Sequence, residues 1–477
     1  MATRKPRSSP AERIPEAEPP IDPRPNPDPT MPSIPAMPTA GGGAGGGAGQ
    51  TTGRFIIIFK HPAIEEPSIV KSTMSKFAGV KSFATSADYA DAAISGTELA
   101  QADVMHFRKT GIVVVAADDE RLQSLATSAM DESSAILAIE PEYIAYALAE
   151  LDLQYLRGYR DAVNALYDRL AGGGGPGSPE LGDAEDMAVN FVDNNQFTWG
   201  LQATRVHTSR FSGQGVKLAV LDTGFDLRHP DFQGRPVVSQ SFVPGQAVQD
   251  GHGHGTHCVG TSCGPQRPIG SRRYGCAYSA QIHVGKVLNN QGSGATGAIV
   301  AGIEWAMSKG CQVVSMSLGA NVDQKVQQYE VPIRRALAAG TLIVAAAGNN
   351  ASRRAGNFGF VSAPANADAA MAVAALDSRL AVADFSARSS LVTGVGGKID
   401  IAGPGVNVYS SWPMPTRYNT ISGTSMATPH VAGIAALWCQ ATGTTGPALW
   451  NKLIQNTRPL TSASAADVGT GLVQAPQ

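Results

Sequence analysis

What this 477-residue chain lacks narrows it first. No apolar run approaches the roughly 18 residues that a transmembrane helix needs. Neither sign of charge is in excess: 37 Lys and Arg stand against 39 Asp and Glu, a formal net charge of −2. That balance gives no argument for nucleic acid or an acidic membrane surface as a partner. The stretch from Met1 to Pro38 is rich in proline and charge and has no apolar core of the kind a secretory signal carries. Export by another route and a cytoplasmic location both stay open. Cysteine is scarce. The five (Cys258, Cys263, Cys276, Cys311, Cys439) are odd in number and irregular in spacing. Mostly free, buried thiols are expected, with one or two disulfides still open.

What is present is a hydrophobic content of 43%, enough for a sizeable core in two or three domains. Residues 1–53 are Pro-rich and then Gly-rich, and read as a disordered tail that cannot bury a core. Order begins at Arg54. Over residues 54–148 a strand (Phe55–Phe59), a helix near Ser68–Phe77, strands at Val104–Phe107 and Ile112–Ala116, a helix (Asp119–Met130) and a strand (Ile136–Glu140) follow one another. Residues 81–100 read ambiguously. The order β-α-β-β-α-β is that of a small ferredoxin-like α+β domain. Residues 149–196 then read as an amphipathic helix (Glu150–Ala171) and a linker, Gly172-Gly173-Gly174-Gly175-Pro176-Gly177.

The rest, 197–477, alternates short apolar runs with helical patterns. Val216–Leu221, Gln281–Val287, Val313–Met316, Leu342–Ala346 and Met371–Ala375 read as strands. Gly255–Ser262, Gly297–Lys309, Val331–Ala339 and Ala427–Cys439 read as helices. This is an α/β pattern: a largely parallel sheet with helices on both faces, whose chemistry gathers at the carboxyl ends of the strands.

Four segments fall at those ends. Ala219-Val220-Leu221-Asp222-Thr223-Gly224 puts an acid at a strand terminus, where a turn aspartate is the plainer alternative. Asp250-Gly251-His252-Gly253-His254-Gly255-Thr256-His257-Cys258 opens a helix. Its three histidines raise a metal site as an alternative, but the glutamate of an HExxH motif is missing. Ala347-Gly348-Asn349-Asn350 follows an apolar strand and offers an amide donor. Gly423-Thr424-Ser425-Met426-Ala427 leads into an apolar helix, with Pro429 expected in its first turn. A Ser hydroxyl becomes a nucleophile only when a base takes its proton, and Asp222, His254 and Ser425 form the required set.

On these four motifs the region 197–475 resembles the subtilisin-like serine peptidases, closest to the proteinase K type. The resemblance implies Ser425 as nucleophile, His254 as general base and then acid, and Asp222 as its orienter. Asn349 and the Ser425 backbone N–H would form the oxyanion hole. It implies substrate bound as an extended strand between Gly292-Ser293-Gly294 and Ser317-Leu318-Gly319. Ala346, Ala347 and Gly348 would help line a P1 pocket with no carboxylate, suited to apolar or aromatic side chains. Cys258 matches a free cysteine beneath the catalytic histidine. No cofactor is implied for the chemistry, but structural calcium is: Asp400, with carbonyls near Asp368 and Ala370, matches one site, and Asp231 matches another whose 264–273 loop lacks the usual asparagines.

The resemblance also makes residues 54–148 an inhibitory propeptide, an intramolecular partner cut from its enzyme between about Tyr143 and Glu150. A second cut at 172–180 is compatible with the linker. A self-processing, monomeric serine endopeptidase acting on protein or peptide substrates is the expected whole. The alternatives are an inactive binding protein of the same fold and a metal-dependent hydrolase built on His252, His254 and His257.

Overall fold

The structure, a computed structural model, describes residues 49–60, 66–76, 82–116, 133–148, 190–392 and 395–477, together with Gln123, Leu125, Thr127 and Ala129. Most of the expected tail, the expected helix at 150–171 and the Gly-rich linker lie outside the described residues.

The first unit holds strands β1 (Thr51–Phe59), β2 (Phe83–Thr85), β3 (Val104–Phe107), β4 (Ile112–Val115) and β5 (Ile136–Ala147), with helix α1 (Pro67–Ser75) after β1. Their order in the sheet is β5-β1-β4-β3-β2, antiparallel except for the β2–β3 pair. Pro67 starts α1 where a missing N–H costs nothing, and Val70 and Met74, one turn apart, face inward. They pack with Leu125, Ala129, Ile57, Phe59, Val113 and Ile136 on one face of the sheet. On the other face Ile56, Ile58, Met105, Phe107, Ile112 and Val114 join the core of the larger unit. The ambiguous stretch 81–100 contains β2, two short 3-10 turns and the start of a helix, Gly96–Gln101.

The larger unit begins with β6 (Lys217–Asp222), β7 (Val237–Ser241), α2 (His254–Cys263), β8 (Gln281–Lys286), β9 (Ser293–Ala295) and α3 (Thr296–Ser308). It continues through β10 (Val313–Met316), β11 (Leu318–Gly319), α4 (Gln327–Ala338), β12 (Leu342–Ala346), β13 (Ala370–Leu376) and β14 (Ile401–Pro404). A hairpin, β15 (Val408–Ser411) and β16 (Tyr418–Ile421), leads to α5 (Thr424–Thr442). Seven strands form one sheet, β14-β13-β12-β10-β6-β8-β7, with every neighbouring pair parallel. Such a sheet is covered on both faces, which is why β6, β10, β12 and β13 read as unbroken apolar runs. β7 and β14 escaped the sequence reading: β7 is a half-exposed edge, and β14 is four residues ending in Gly403-Pro404.

Two helices begin earlier than the sequence pattern suggested, and the reason is tertiary. α5 starts at Thr424, so Pro429 lies in its second turn, not its first. Pro429 has no N–H for the Ser425 carbonyl; the Ser317 hydroxyl donates to that carbonyl at 2.8 Å instead. α4 starts four residues before the expected Val331, with Pro332 inside it. Its first N–H groups, those of Gln327 and Gln328, are held at 2.7 and 2.9 Å by the Glu140 carboxylate of β5.

The sheet of the first unit runs into the larger one. β5 continues past the expected end at Glu140 because residues 144–147 find partners there. Ile144, Ala145 and Tyr146 pair with Ala295, Gly294 and Ser293 of β9, while Tyr146 and Ala147 pair with Gly319 and Leu318 of β11.

Candidate active site

Asp222 ends β6. Its Oδ1 accepts from the Thr223 N–H at 2.7 Å and from His254 Nδ1 at 2.8 Å. Facing a carboxylate, Nδ1 carries the proton, which leaves Nε2 as the basic nitrogen. Both side chains are completely buried. Burial alone would favour the neutral ring, but the Asp222 carboxylate overrides it and raises His254 well above its ordinary value.

The loop before α2 brings the imidazole there. Asp250 accepts from the N–H groups of His252, Gly253 and Thr256 and from the hydroxyls of Thr223 and Thr256. Thr223 Oγ1 in turn accepts from Gly255 N at 2.8 Å. Asp250 therefore locks the end of β6 to the first turn of α2. Gly253, at φ 105°, has no room for a side chain: a Cβ there would meet the Trp412 ring.

Ser425 lies in the first turn of α5, buried. Its hydroxyl donates to the Ser317 carbonyl at 3.0 Å, and among the described residues His254 Nε2 has no hydrogen-bond partner. Thus the Asp222–His254 link is made and the expected Ser425–His254 link is not. Cys258 lies between them, its Sγ 3.9 Å from His254 Nδ1 and 3.7 Å from the Ser425 carbonyl. Burial pushes this thiol up, away from the thiolate. All five cysteines are free and buried.

Asn349 follows β12. Its Oδ1 accepts from the Thr424 N–H and hydroxyl at 2.9 and 2.8 Å, which decides the orientation of the amide. Nδ2 then donates to the Leu148 carbonyl at 2.8 Å. Gly348, at φ 128°, makes the turn and donates to Thr424 Oγ1. Along the segment ending at Leu148 lie all six expected edge residues. Gly292 accepts from Ala147 N at 2.8 Å and Ser317 from Leu148 N at 3.4 Å. Ser293, Gly294, Leu318 and Gly319 supply the paired strands described above. A Cβ on Gly319 would stand 2.9 Å from a methyl of Leu148, so glycine there leaves the room that this side chain occupies. Ala346 and Ala347 are buried behind it.

The histidine trio does not converge. His257 Nε2 bonds to the Val408 carbonyl at 2.9 Å, and burial pushes the ring down to about 3. Among the described residues, the one cluster with ligand atoms within reach of each other is Asp222, His254 and Cys258. Asp231 is already saturated: Tyr274, Tyr418, the Ile269 N–H and Arg417 all donate to it. A guanidinium and two phenols stand where a cation would, so this carboxylate does not fit calcium. Asp400 differs. Its Oδ2 accepts from Ala372 N at 2.8 Å, and burial pushes the carboxyl up to about 7. A cation would relieve that burial, so Asp400 fits one.

Sequence reasoning passed over Asp250, Thr223 and Lys286. A lone lysine closing an apolar strand was the signal available for the last.

A family model described as "Subtilase family" matches residues 213–472. The chain is 39% identical over 315 residues to "Alkaline protease" of Shouchella clausii, covering 62% of this chain and 76% of that one. It is 41% identical over 284 residues to "Subtilisin Savinase" of Lederbergia lenta, covering 58% and 96%. To "Cuticle-degrading protease" of Metarhizium anisopliae it is 39% identical over 266 residues, covering 54% and 62%. With the family model spanning more than half of its length, the chain belongs to the subtilase family, the subtilisin-like serine peptidases.

Proposed function

We propose that this chain is a self-processing serine endopeptidase, and that residues 54–148 are its inhibitory propeptide. One observation carries the reading: the Leu148 carbonyl rests on Asn349 Nδ2, with residues 144–148 laid between the two edges in front of Ser425. That is the position of a scissile carbonyl, with Leu148 as P1.

In the proposed reaction the Ser425 hydroxyl turns from the Ser317 carbonyl toward His254 Nε2, gives up its proton and attacks the Leu148 carbonyl carbon. Charge that develops on the oxygen meets Asn349 Nδ2 and the Ser425 N–H at the start of α5. The imidazolium is stabilised by Asp222 and returns the proton to the departing Ala149 nitrogen as the C–N bond breaks. Water, activated by the same imidazole, then releases Leu148 as a free carboxylate and regenerates the Ser425 hydroxyl.

A leucine seated over Gly319, with no carboxylate at Ser317–Gly319 or Ala346–Gly348, supports apolar or aromatic P1 preference. The strand order β5-β1-β4-β3 supports the ferredoxin-like propeptide. So do its carboxylates: Glu140 holds the start of α4, and Glu142 accepts from Gly297 N in α3 at 2.8 Å. Cys258 beneath His254 supports the proteinase K type. Asp400, with backbone carbonyls near Asp368 and Ala370, would hold a structural calcium that tightens the end of β14 and takes no part in the chemistry. The enzyme is proposed to act as a monomer on protein and peptide substrates.

The test is chemical. A serine-directed phosphonyl fluoride should inactivate the enzyme with its adduct on Ser425, while a zinc chelator leaves activity intact. Ser425→Ala should have no turnover. Loss of activity to the chelator, with Ser425 unlabelled, would overturn the reading.

A further inference from the structure

Lys286 is the last residue of β8, level with Asp222 across the β6–β8 pairing, and its side chain is completely buried. A buried ammonium needs donors' partners and opposite charge nearby. Its Nζ donates to the carbonyl of Thr223, the residue after Asp222, and to Asn290 Oδ1 at 2.8 Å. Asn290 Oδ1 also accepts from Gly251 N at 3.2 Å, in the loop that delivers His254. The backbone after Lys286 is bound just as closely, for Val287 N and Leu288 N both donate to the Asp222 carbonyl. Two residues past Asn290 the chain becomes the Gly292–Gly294 edge. One side chain thus touches the turn holding the orienting carboxylate and the loop holding a substrate edge.

The titratable groups around this ammonium are Asp222 and Asp250, both buried carboxylates, with His252 and His254 beyond them. Among the described residues Asp222 Oδ2 is buried without a hydrogen-bond partner. Burial lowers the Lys286 ammonium from its ordinary value, and the two aspartates oppose that.

We propose that Lys286 is a positioning residue of the peptidase reaction: it clamps the backbone beside Asp222 to the Asn290 loop, and it sets a positive charge beside two buried carboxylates next to His254. The inference rests on the roles proposed for Asp222 and His254. It acts through them and touches no substrate.

The experiment compares Lys286→Met, Lys286→Arg and Asn290→Ala in the processed enzyme, as kcat and KM profiles against pH. Lys286→Met removes a cation that opposes the imidazolium, so the acid limb of kcat/KM should move up by about half a unit or more, with kcat down about tenfold. Lys286→Arg keeps the charge and should return the acid limb to its wild-type position. Asn290 is exposed, and Asn290→Ala should raise KM several-fold, roughly, with the limb unmoved. A Lys286→Met enzyme with wild-type kcat and an unshifted limb overturns the proposal. If Lys286→Met does not fold, a wild-type KM in Asn290→Ala, or a shifted limb in Lys286→Arg, overturns it instead. Phosphonyl labelling of the wild type at Ser425 tells this failure apart from failure of the catalytic reading itself.

Discussion

Among single residues, Asp222 offers the sharpest test of chemistry. Asp222→Asn would present an amide to His254 Nδ1 and favour the tautomer with its proton on Nε2, facing Ser425. We expect kcat to fall by about 10⁴-fold with KM little changed, read by single-turnover and steady-state kinetics. Asp231 offers a test of stability. Its side chain is buried, and Asp231→Ala would strand the buried Tyr274 hydroxyl and an arginine. A loss of about 2–4 kcal/mol is expected in urea unfolding of a Ser425→Ala chain, with calcium giving no rescue. The residues proposed as catalytic could be nominated from sequence because each sits in its own contiguous motif. The state of Asp231 could not, because its donors at 269, 274, 417 and 418 come from two stretches of chain remote from it. Similarly, the hydroxyl of Ser425 was expected on His254 and lies on Ser317, a choice between two acceptors that no motif encodes.

Helices and strands were located well where their apolar periodicity was long, and poorly where another element finishes them. α4 is the clearest case. The expected helix began at Val331, and only the Glu140 carboxylate, almost 190 residues upstream, makes the turn before it worthwhile. Burial raises the Glu140 carboxyl despite its three hydrogen bonds from Gln327 and Gln328. A carboxyl raised in the bound state favours binding below the free value and weakens it as pH rises through the raised one. Propeptide added in trans should therefore inhibit less tightly as pH climbs above the ordinary glutamate range, and Glu140→Gln should flatten that slope. Inhibition constants measured across pH would check it; an unchanged slope in the variant would refute it. β5 teaches the same lesson. The strand was expected to end at Glu140, yet it runs to Ala147 because β9 and β11 receive it.

At the scale of the whole molecule, the parallel sheet with helices on both faces was legible, since strands buried on two sides leave unbroken apolar runs. The joining of the two units through β5 was expected from the family resemblance alone; residue patterning does not show it, because that contact depends on two edges 25 residues apart meeting around a third segment. Stability of the larger unit should also carry a pH signature from Asp400. Its carboxyl, moved from 3.8 to about 7, contributes stability that is full below 3.8 and lost as pH rises through 7. Calcium needs the ionised form. Added calcium should therefore raise the melting temperature of the Ser425→Ala chain more at pH 8 than at pH 5, and Asp400→Asn should abolish the difference. The central claim is that Ser425 cuts its own chain after Leu148. Intact-mass measurement of the purified protein tests it most directly: the wild type should yield an N-terminal fragment ending at Leu148, and Ser425→Ala should remain one uncut chain. A fragment ending elsewhere, or the same cut in Ser425→Ala freed of other peptidases, would contradict it.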